Sequence, residues 1–198
     1  LEGGEVGVKV REDPKAHGPI LPPPPSKPGE KEPGSPYGGR VKALALGLLL
    51  ALTLPPFPLG FLAPFVLAFL LKGGFREGFW AGLGFWGLHL VWLPQSFAQN
   101  FGPWGAVPFL PLVLVKALSF GLLFALTPNA PMRLGGWVLL EWLTEQGELA
   151  FPWGFLGYAL VEAPGRVLAA WGGVYLLSLL VLLVADGLRA RRPWVLLL

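Results

Sequence analysis

The chain has 198 residues, of which 54% are hydrophobic and only 14% are charged. Soluble domains carry roughly 25% charged residues, so this composition excludes an ordinary soluble domain and predicts an integral membrane protein. The net charge of +3 comes from cations in short segments between apolar runs, which favours membrane topology over nucleic-acid binding.

The apolar runs are continuous rather than alternating, which predicts an all-α polytopic helical bundle instead of a barrel. The sequence contains no cysteine and only two histidines, His17 and His89. Thiol nucleophiles and thiolate metal sites are therefore excluded, and we predict neither a metal site nor a cofactor.

Residues 1–40 form a tail that differs in composition from the rest of the chain. This tail contains nine prolines and eight glycines, and its acidic and basic residues are equal in number. Such a segment buries too little apolar surface to offset its ordering entropy, so we predict disorder. An inert extension is the favoured interpretation, and an arm that docks a partner is the alternative.

Residues 41–198 form the predicted transmembrane bundle, with six helices and the start of a seventh. The predicted ranges are 41–54, 59–71, 78–97, 105–126, 134–146, 167–187 and 193–198. The prolines of 55–58 join the first two helices as a tight hairpin, and the seventh helix is expected to be cut off after its first turns. Small residues permit close helix packing, and the third helix has four glycines, at 78, 82, 84 and 87.

Three ionisable residues, His89, Lys116 and Glu141, lie away from the ends of predicted helices, where such residues are candidates for function. His89 lies in the third helix, and either a functional role or a hydrogen bond to a neighbouring helix accounts for it. Lys116 lies near the centre of the fourth helix. It has three possible roles: pairing with Glu141, extending toward the membrane surface, or facing a wet cavity.

The segment from Glu141 to Val184 carries the most specific pattern in the chain. Glu141 lies inside an apolar run, and the aromatic loop FPWGFLGY follows over 151–158. A charge-free helix comes next, and its length approaches the roughly 20 residues that cross a bilayer. Aromatic side chains concentrate at membrane interfaces, so the loop is predicted to lie at a membrane surface.

The distribution of cations predicts the orientation of the bundle. With the start of the first helix in the cytoplasm, eight cations fall on cytoplasmic sides: Arg40, Lys42, Lys72, Arg76, Arg133, Arg189, Arg191 and Arg192. Only Arg166 falls on the opposite side. This bias predicts a cytoplasmic N-terminus and places the loop of residues 151–158 on the outer face.

Three parts of the sequence together resemble a known family. They are the hairpin LTLPPFPLGFLAPFVLAFLL, the helix GFWAGLGFWGLHLVWL, and the series EWL, FPWGFLGY and GGVYLLSLLV. Over about residues 41–198 the chain resembles the membrane domain of bacterial apolipoprotein N-acyltransferase. The resemblance implies a multi-pass protein of the bacterial inner membrane.

The family's members transfer an acyl chain from phospholipid to the N-terminal diacylglyceryl-cysteine of lipoproteins. The resemblance implies that a Glu-Lys-Cys triad does this through a thioester, in a nitrilase-like domain that follows the seventh helix. No such domain is recognisable here, so it is expected to be separate or missing. The chain alone is expected to bind the phospholipid donor and the lipidated apolipoprotein without catalysing the transfer.

The resemblance implies that this chain binds the substrates and has no catalytic role. The predicted substrate-binding residues are Glu141, Trp142, Phe151, Trp153, Gly157 and Tyr158, and the possible polar core is Lys116 with His89.

Family members usually continue the glutamate motif as E-[FW]-L-R-G, but Thr144 stands at the arginine position. If that arginine binds lipid phosphate, Arg166 would have to replace it. The alternative is that the aromatics form only an interface belt and that Glu141 is only a buried acceptor.

Two other functions are compatible with the sequence. A small transporter would use Lys116, Glu141 and His89 as an intramembrane polar path, although the sequence has no inverted repeat. A non-enzymatic membrane scaffold would use the proline-rich tail to dock a partner.

Overall fold

The computed structural model describes residues 38–147 and 150–192. The predicted tail therefore lies outside the described residues except for its last three positions, and so does the predicted helix 193–198. All regular secondary structure in the two described ranges is helical, which confirms the all-α class. The α-helices are α1 (Gly38–Leu52), α2 (Ala63–Leu70), α3 (Phe75–His89), α4 (Leu93–Phe101), α5 (Phe109–Leu126), α6 (Ala130–Leu143) and α7 (Ala169–Arg189). Short 3-10 helices cover Gly60–Leu62, Pro103–Ala106, Leu156–Leu160 and Pro164–Leu168.

Two elements are long and apolar enough to cross a membrane. Pro103–Leu126 has 24 residues and contains an 18-residue stretch with a mean hydropathy of 2.2, and Pro164–Arg189 has 26 residues and contains one with a mean hydropathy of 2.4. Each includes a 3-10 helix that leads into α5 or α7. Gly60–Leu70 is apolar but shorter. These two elements are compatible with a membrane protein, while the predicted number of about six spans stays a prediction.

The single helix predicted over 78–97 was wrong, because the chain leaves the helix after His89. A new helix, α4, begins at Leu93 and continues to Phe101, beyond the predicted end of the third helix at 97. Pro94 lies in the first turn of α4 and has no N–H with which to bond the Leu90 carbonyl. A proline is tolerated in a first turn, so it marks the start of the second helix.

The predicted start of α6 at residue 134 was also wrong, since the helix begins at Ala130. Asn129 is its N-cap, and the Asn129 side-chain oxygen accepts a hydrogen bond of 3.0 Å from the Met132 N–H. Asparagine is among the best N-caps, and Pro131 is compatible with the first turn. The same polar residues that suggest a turn therefore start the helix.

The bundle is built around α3, which packs against α1 on one side and α5 on the other. The second group of contacts is centred on α7, which touches α2, α6 and the 3-10 helix Leu156–Leu160. Near its beginning α7 is interrupted at Gly172 and Gly173, where Gly173 has a φ of 62° that favours glycine. The largest fully buried side chains include Trp137, Phe85 and Phe155.

Close packing at the glycines of α3 is confirmed for three of the four predicted positions. A Cβ atom at Gly84 would lie 2.3 Å from the Leu44 carbonyl oxygen of α1. Gly78 and Gly82 are similarly close to α5, but Gly87 has open space around it. The prediction for Gly87 was therefore wrong.

Gly84→Ala is expected to lower the free energy of unfolding by about 1 to 2 kcal/mol, because α1 must move away from α3. Gly87→Ala on the same helix is the matched control. It is expected to be neutral or slightly stabilising, since alanine favours helix by up to about 1 kcal/mol. Denaturant titration in detergent micelles measures both values. Equal effects at the two positions would contradict the close α1–α3 contact.

A buried arginine joins the ends of several helices at one end of the bundle. Arg133, in the first turn of α6, is only 8% exposed. Its Nη1 donates to the carbonyls of Leu71 (2.7 Å) and Gly73 (3.0 Å), and its Nη2 donates to those of Phe124 (3.1 Å) and Thr127 (2.7 Å). The Nε donates to the Thr127 hydroxyl at 3.2 Å. All five N–H donors of the guanidinium are thus used.

Candidate functional site

Glu141 holds the aromatic loop through a backbone hydrogen bond. It lies on the buried face of α6, eight residues after Arg133, and is 5% exposed. Its Oε1 accepts a hydrogen bond of 2.8 Å from the Leu156 N–H. A buried backbone N–H that loses its acceptor is costly, so this contact fixes the course of the loop.

The next amide in the loop is held by a different helix. The Gly157 N–H donates to the Ser178 Oγ of α7 at 2.8 Å, and Ser178 is completely buried. Two successive amides of the loop are therefore anchored, one to α6 and one to α7. Ser178 is not among the predicted site residues, although it is the one polar residue in the run from Leu176 to Ala185.

Gly157 allows the loop to approach α7 closely. A Cβ atom at this position would lie 2.3 Å from the Val174 carbonyl oxygen. Gly157 thus contributes to the site by packing. Phe155, two residues earlier, is only 1% exposed, and its ring stacks on that of Tyr158 with 5.8 Å between the ring centres. The loop is therefore a fixed part of the bundle.

Gly157→Ala is expected to displace the loop from α7 and to lower the free energy of unfolding by about 1 to 2 kcal/mol. Gly165→Ala is the matched control, because nothing lies within 4 Å of a Cβ atom at Gly165. Hydrogen exchange of the amides in 155–160 would report the displacement. Unchanged protection in the Gly157 variant would show that the contact with α7 does not hold the loop.

Lys116 also contacts the loop, and it does so without pairing with Glu141. The Lys116 Nζ lies 5.0 Å from the Trp86 ring centre and 5.2 Å from that of Phe151, within the range of cation–π attraction. It also donates a long hydrogen bond of 3.4 Å to the Phe151 carbonyl. Among the described residues Lys116 has no ion pair with Glu141, so the first of the three predicted alternatives was wrong.

Lys116 and Glu141 instead line one small cavity beneath the loop. The cavity has a volume of about 20 Å³, and its other walls include Trp86, Thr144 and Trp153. Ser178 and Trp137 lie near the Glu141 carboxyl, but its Oε2 is buried without a hydrogen-bond partner of normal geometry. The Trp86 indole N–H is likewise without one. A space of this size fits one water molecule, and Lys116, Glu141 and Thr144 supply polar groups in its otherwise apolar lining.

The remaining predicted site residues are not all brought together. Trp153 is 49% exposed at the edge of the small cavity and contacts Trp92, with 5.4 Å between the ring centres. Trp142 is exposed on α6 and does not line that cavity. His89 stacks on Phe85 at 5.4 Å and is also absent from the cavity lining.

A larger groove opens on the other side of the loop. Its volume is about 790 Å³, and it runs between the proline turn 55–58 with Phe61 and the segment Tyr158–Ala163. Its walls are mainly apolar. Tyr158 thus faces a different space from Glu141, and its partial burial, together with the nearby Glu145 carboxylate, raises the pKa of the phenol. The proline turn is not among the predicted site residues.

The helices and the anchored aromatic loop define a helical membrane domain with apolar spaces on both sides of that loop. Residues 46–186 match the family model of the apolipoprotein N-acyltransferase N-terminal domain. The chain belongs to the apolipoprotein N-acyltransferase family.

Curated relatives carry the same family name. The chain is 31% identical over 170 residues to the apolipoprotein N-acyltransferase of Coxiella burnetii, covering 74% of this chain and 35% of that protein. It is 32% identical over 171 residues to that of Vibrio cholerae, covering 74% and 33%. For Pseudomonas putida the identity is 32% over 175 residues, covering 75% and 34%. The chain thus spans about a third of the length of the relatives it matches.

Proposed function

We propose that this chain forms the lipid-binding membrane part of an apolipoprotein N-acyltransferase. In the proposed reaction an acyl chain passes from a phospholipid to the N-terminal diacylglyceryl-cysteine of a lipoprotein. The chain has no cysteine, so a thioester nucleophile must come from outside these 198 residues. The observation that carries the proposal is the aromatic loop, anchored to α6 and α7, in a chain of this family.

Both proposed substrates carry acyl chains, and these chains suggest how the spaces beside the loop are used. The groove between the proline turn and Tyr158 has the size of a typical ligand site and mainly apolar walls, which suits an acyl chain. The small cavity has room for one water only, so Lys116 and Glu141 serve to position the loop. Trp153 at its edge is the exposed aromatic contact for lipid.

Thr144 stands at the position where the family usually has an arginine. The Thr144 hydroxyl donates to the Glu141 carbonyl at 2.8 Å, and the side chain lines the small cavity together with Lys116. Arg166 is exposed, and the only hydrogen bond of its side chain within the described residues is a long one to the Val161 carbonyl. We therefore propose that Lys116, rather than Arg166, supplies the positive charge beside the loop.

The proposed orientation has the loop on the outer face of the bacterial inner membrane and the start of α1 in the cytoplasm. Two arginines at the end of the bundle away from the loop, Arg133 and Arg189, support this orientation by the positive-inside rule. The acyl-transfer chemistry would then lie outside the cytoplasm, where lipidated apolipoproteins reach it.

Photocrosslinking tests the proposed lipid contact. The chain is reconstituted with phosphatidylethanolamine that carries a diazirine in its acyl chain, and the labelled peptides are identified by mass spectrometry. We expect labelling of 151–163 and 55–62, reduced several-fold in the loop by Trp153→Ala. Trp104→Ala is the matched control, because Trp104 is 83% exposed but lies away from both spaces. Equal labelling in both variants would contradict the proposed contact.

Complementation tests the division of labour. A strain depleted of its acyltransferase is supplied with this chain alone, or with a family catalytic part fused after residue 198. Growth is expected only with the fusion. Growth restored by the thiol-free chain alone would overturn the proposal that the nucleophile lies elsewhere.

A further inference from the structure

A second cavity lies at the end of the bundle opposite the aromatic loop. Its volume is about 550 Å³, and it is formed by the α2–α3 connection, the α5–α6 connection and the last turn of α7. Three cations line it: Lys72 from the α2–α3 connection, Arg133 from the first turn of α6 and Arg189 from the last turn of α7. Arg133 and Glu141 are eight residues apart on α6, or about 12 Å along the axis, so this cavity is distinct from the loop site.

The positive charge of the cavity is incompletely balanced. Arg133 directs all five N–H donors to carbonyl and hydroxyl oxygens, so it has no carboxylate partner among the described residues. Lys72 has no hydrogen bond or ion pair in the described ranges. Arg189 pairs with Asp186 at 2.6 Å through Nη2, and its Nη1 has no hydrogen bond there. The Glu77 carboxylate nearby accepts from the Gly74 N–H.

This charge distribution selects the chemistry of the ligand. Arg and Lys side chains converging on a cavity of this size suit a phosphate group. Basic pockets between helices at the cytoplasmic side of a membrane bind anionic lipid headgroups. The carbonyls of Leu71 and Gly73 accept hydrogen bonds from Arg133, and the positive charge held beside them repels a headgroup ammonium. An anionic headgroup is therefore favoured over a zwitterionic one.

We infer that the cavity formed by Lys72, Arg133 and Arg189 binds the phosphate of an anionic phospholipid headgroup, in the leaflet opposite the aromatic loop. Lys72 and the free Nη1 of Arg189 contact the phosphate directly. Arg133 contributes its charge from a fixed position and does not donate to the ligand. This site does not depend on acyl transfer, and it holds whether or not the proposed function is correct.

Native mass spectrometry of the purified full chain, titrated with phosphatidylglycerol, tests the inference. A cation near the membrane surface is worth about fivefold in binding of anionic lipid, so Lys72→Gln and Arg189→Gln are each expected to weaken binding about fivefold. Arg166→Gln, at the other end of the bundle, is the matched control and is expected to leave binding unchanged. In a parallel titration with phosphatidylethanolamine, which is proposed to bind beside the aromatic loop, Lys72→Gln and Arg189→Gln are expected to leave binding unchanged.

Two further measurements separate the alternatives. Asp186→Asn removes the carboxylate beside Arg189 and is expected to strengthen binding, which a merely destabilised variant would not do. Inorganic phosphate is then added in excess as a competitor. Displacement of the lipid shows that phosphate alone is recognised, and persistence of the lipid shows that the site is specific for the lipid headgroup. Both results support a phosphate site. Equal binding of phosphatidylglycerol by the Lys72, Arg189 and Arg166 variants would overturn the inference, as would an equal loss of phosphatidylethanolamine binding in the Lys72 and Arg189 variants.

Discussion

Arg133→Ala is expected to lower the free energy of unfolding by about 3 to 5 kcal/mol, because it removes all five guanidinium hydrogen bonds at a buried position. The carbonyls of Leu71, Phe124 and Thr127 would lose a donor each where little water can replace it. The methylene chain and the cation–π contact with the Phe124 ring, at 4.7 Å, would be lost as well. Urea titration in detergent micelles, followed by tryptophan fluorescence, measures the change.

Two control variants accompany Arg133→Ala. The first separates the geometry of the guanidinium from its charge, and the second removes an exposed arginine. Arg133→Lys keeps the charge but offers three donors from one point, so we expect it to recover only part of the lost stability. Arg166→Ala removes an exposed arginine and is expected to change the stability by less than about 0.5 kcal/mol. If Arg133→Lys proves as stable as the original protein, the charge alone accounts for the role of Arg133.

Glu141→Ala is expected to release the aromatic loop from α6 and to abolish the function that depends on it. The Leu156 N–H loses its acceptor in a buried position, which costs about 2 to 3 kcal/mol. The Phe151 N–H still donates to the Thr144 carbonyl at 2.7 Å and the Gly157 N–H to Ser178, but neither contact fixes the chain between them, so we expect the segment 152–156 to open. Hydrogen exchange of the amides in the loop would show the opening, and complementation by the completed enzyme would show the functional loss.

Glu141→Gln is the matched control for this variant. Its side-chain oxygen still accepts from the Leu156 N–H, and no ion pair of Glu141 is lost among the described residues. We expect the glutamine variant to retain loop protection and most of the complementing activity. Loss of activity with full loop protection would instead assign Glu141 a role that requires its carboxyl proton or charge.

Composition and apolar runs are sufficient to predict an all-α membrane protein and the existence of most of its helices. The EWL and FPWGFLGY motifs also locate Glu141 next to the loop that it holds, although a separation of 15 positions between Glu141 and Leu156 does not by itself imply a contact. Proline and asparagine are harder to interpret from sequence. Pro94 and Asn129 both mark helix starts, where a turn or an uninterrupted helix is equally consistent with the sequence.

The contacts that hold the site depend on tertiary structure and are not visible in local patterns. Ser178 is a single polar residue in an apolar helix, and only the fold shows that it faces Gly157. Arg133 is indistinguishable from the other cations that follow the positive-inside rule, yet it is buried and fully hydrogen-bonded. Lys116 contacts two aromatic rings from distant segments, so its partners could not be inferred from spacing along the chain.

The lengths of the helices have a consequence for the surrounding bilayer. α1 and α3 have 15 residues each and rise about 22 Å, whereas the hydrocarbon core of a typical bilayer is about 30 Å thick. Such hydrophobic mismatch is relieved when lipids compress around the shorter helices. In the proposed membrane topology, in which α1 crosses the bilayer, we therefore expect a locally thinned annulus beside α1.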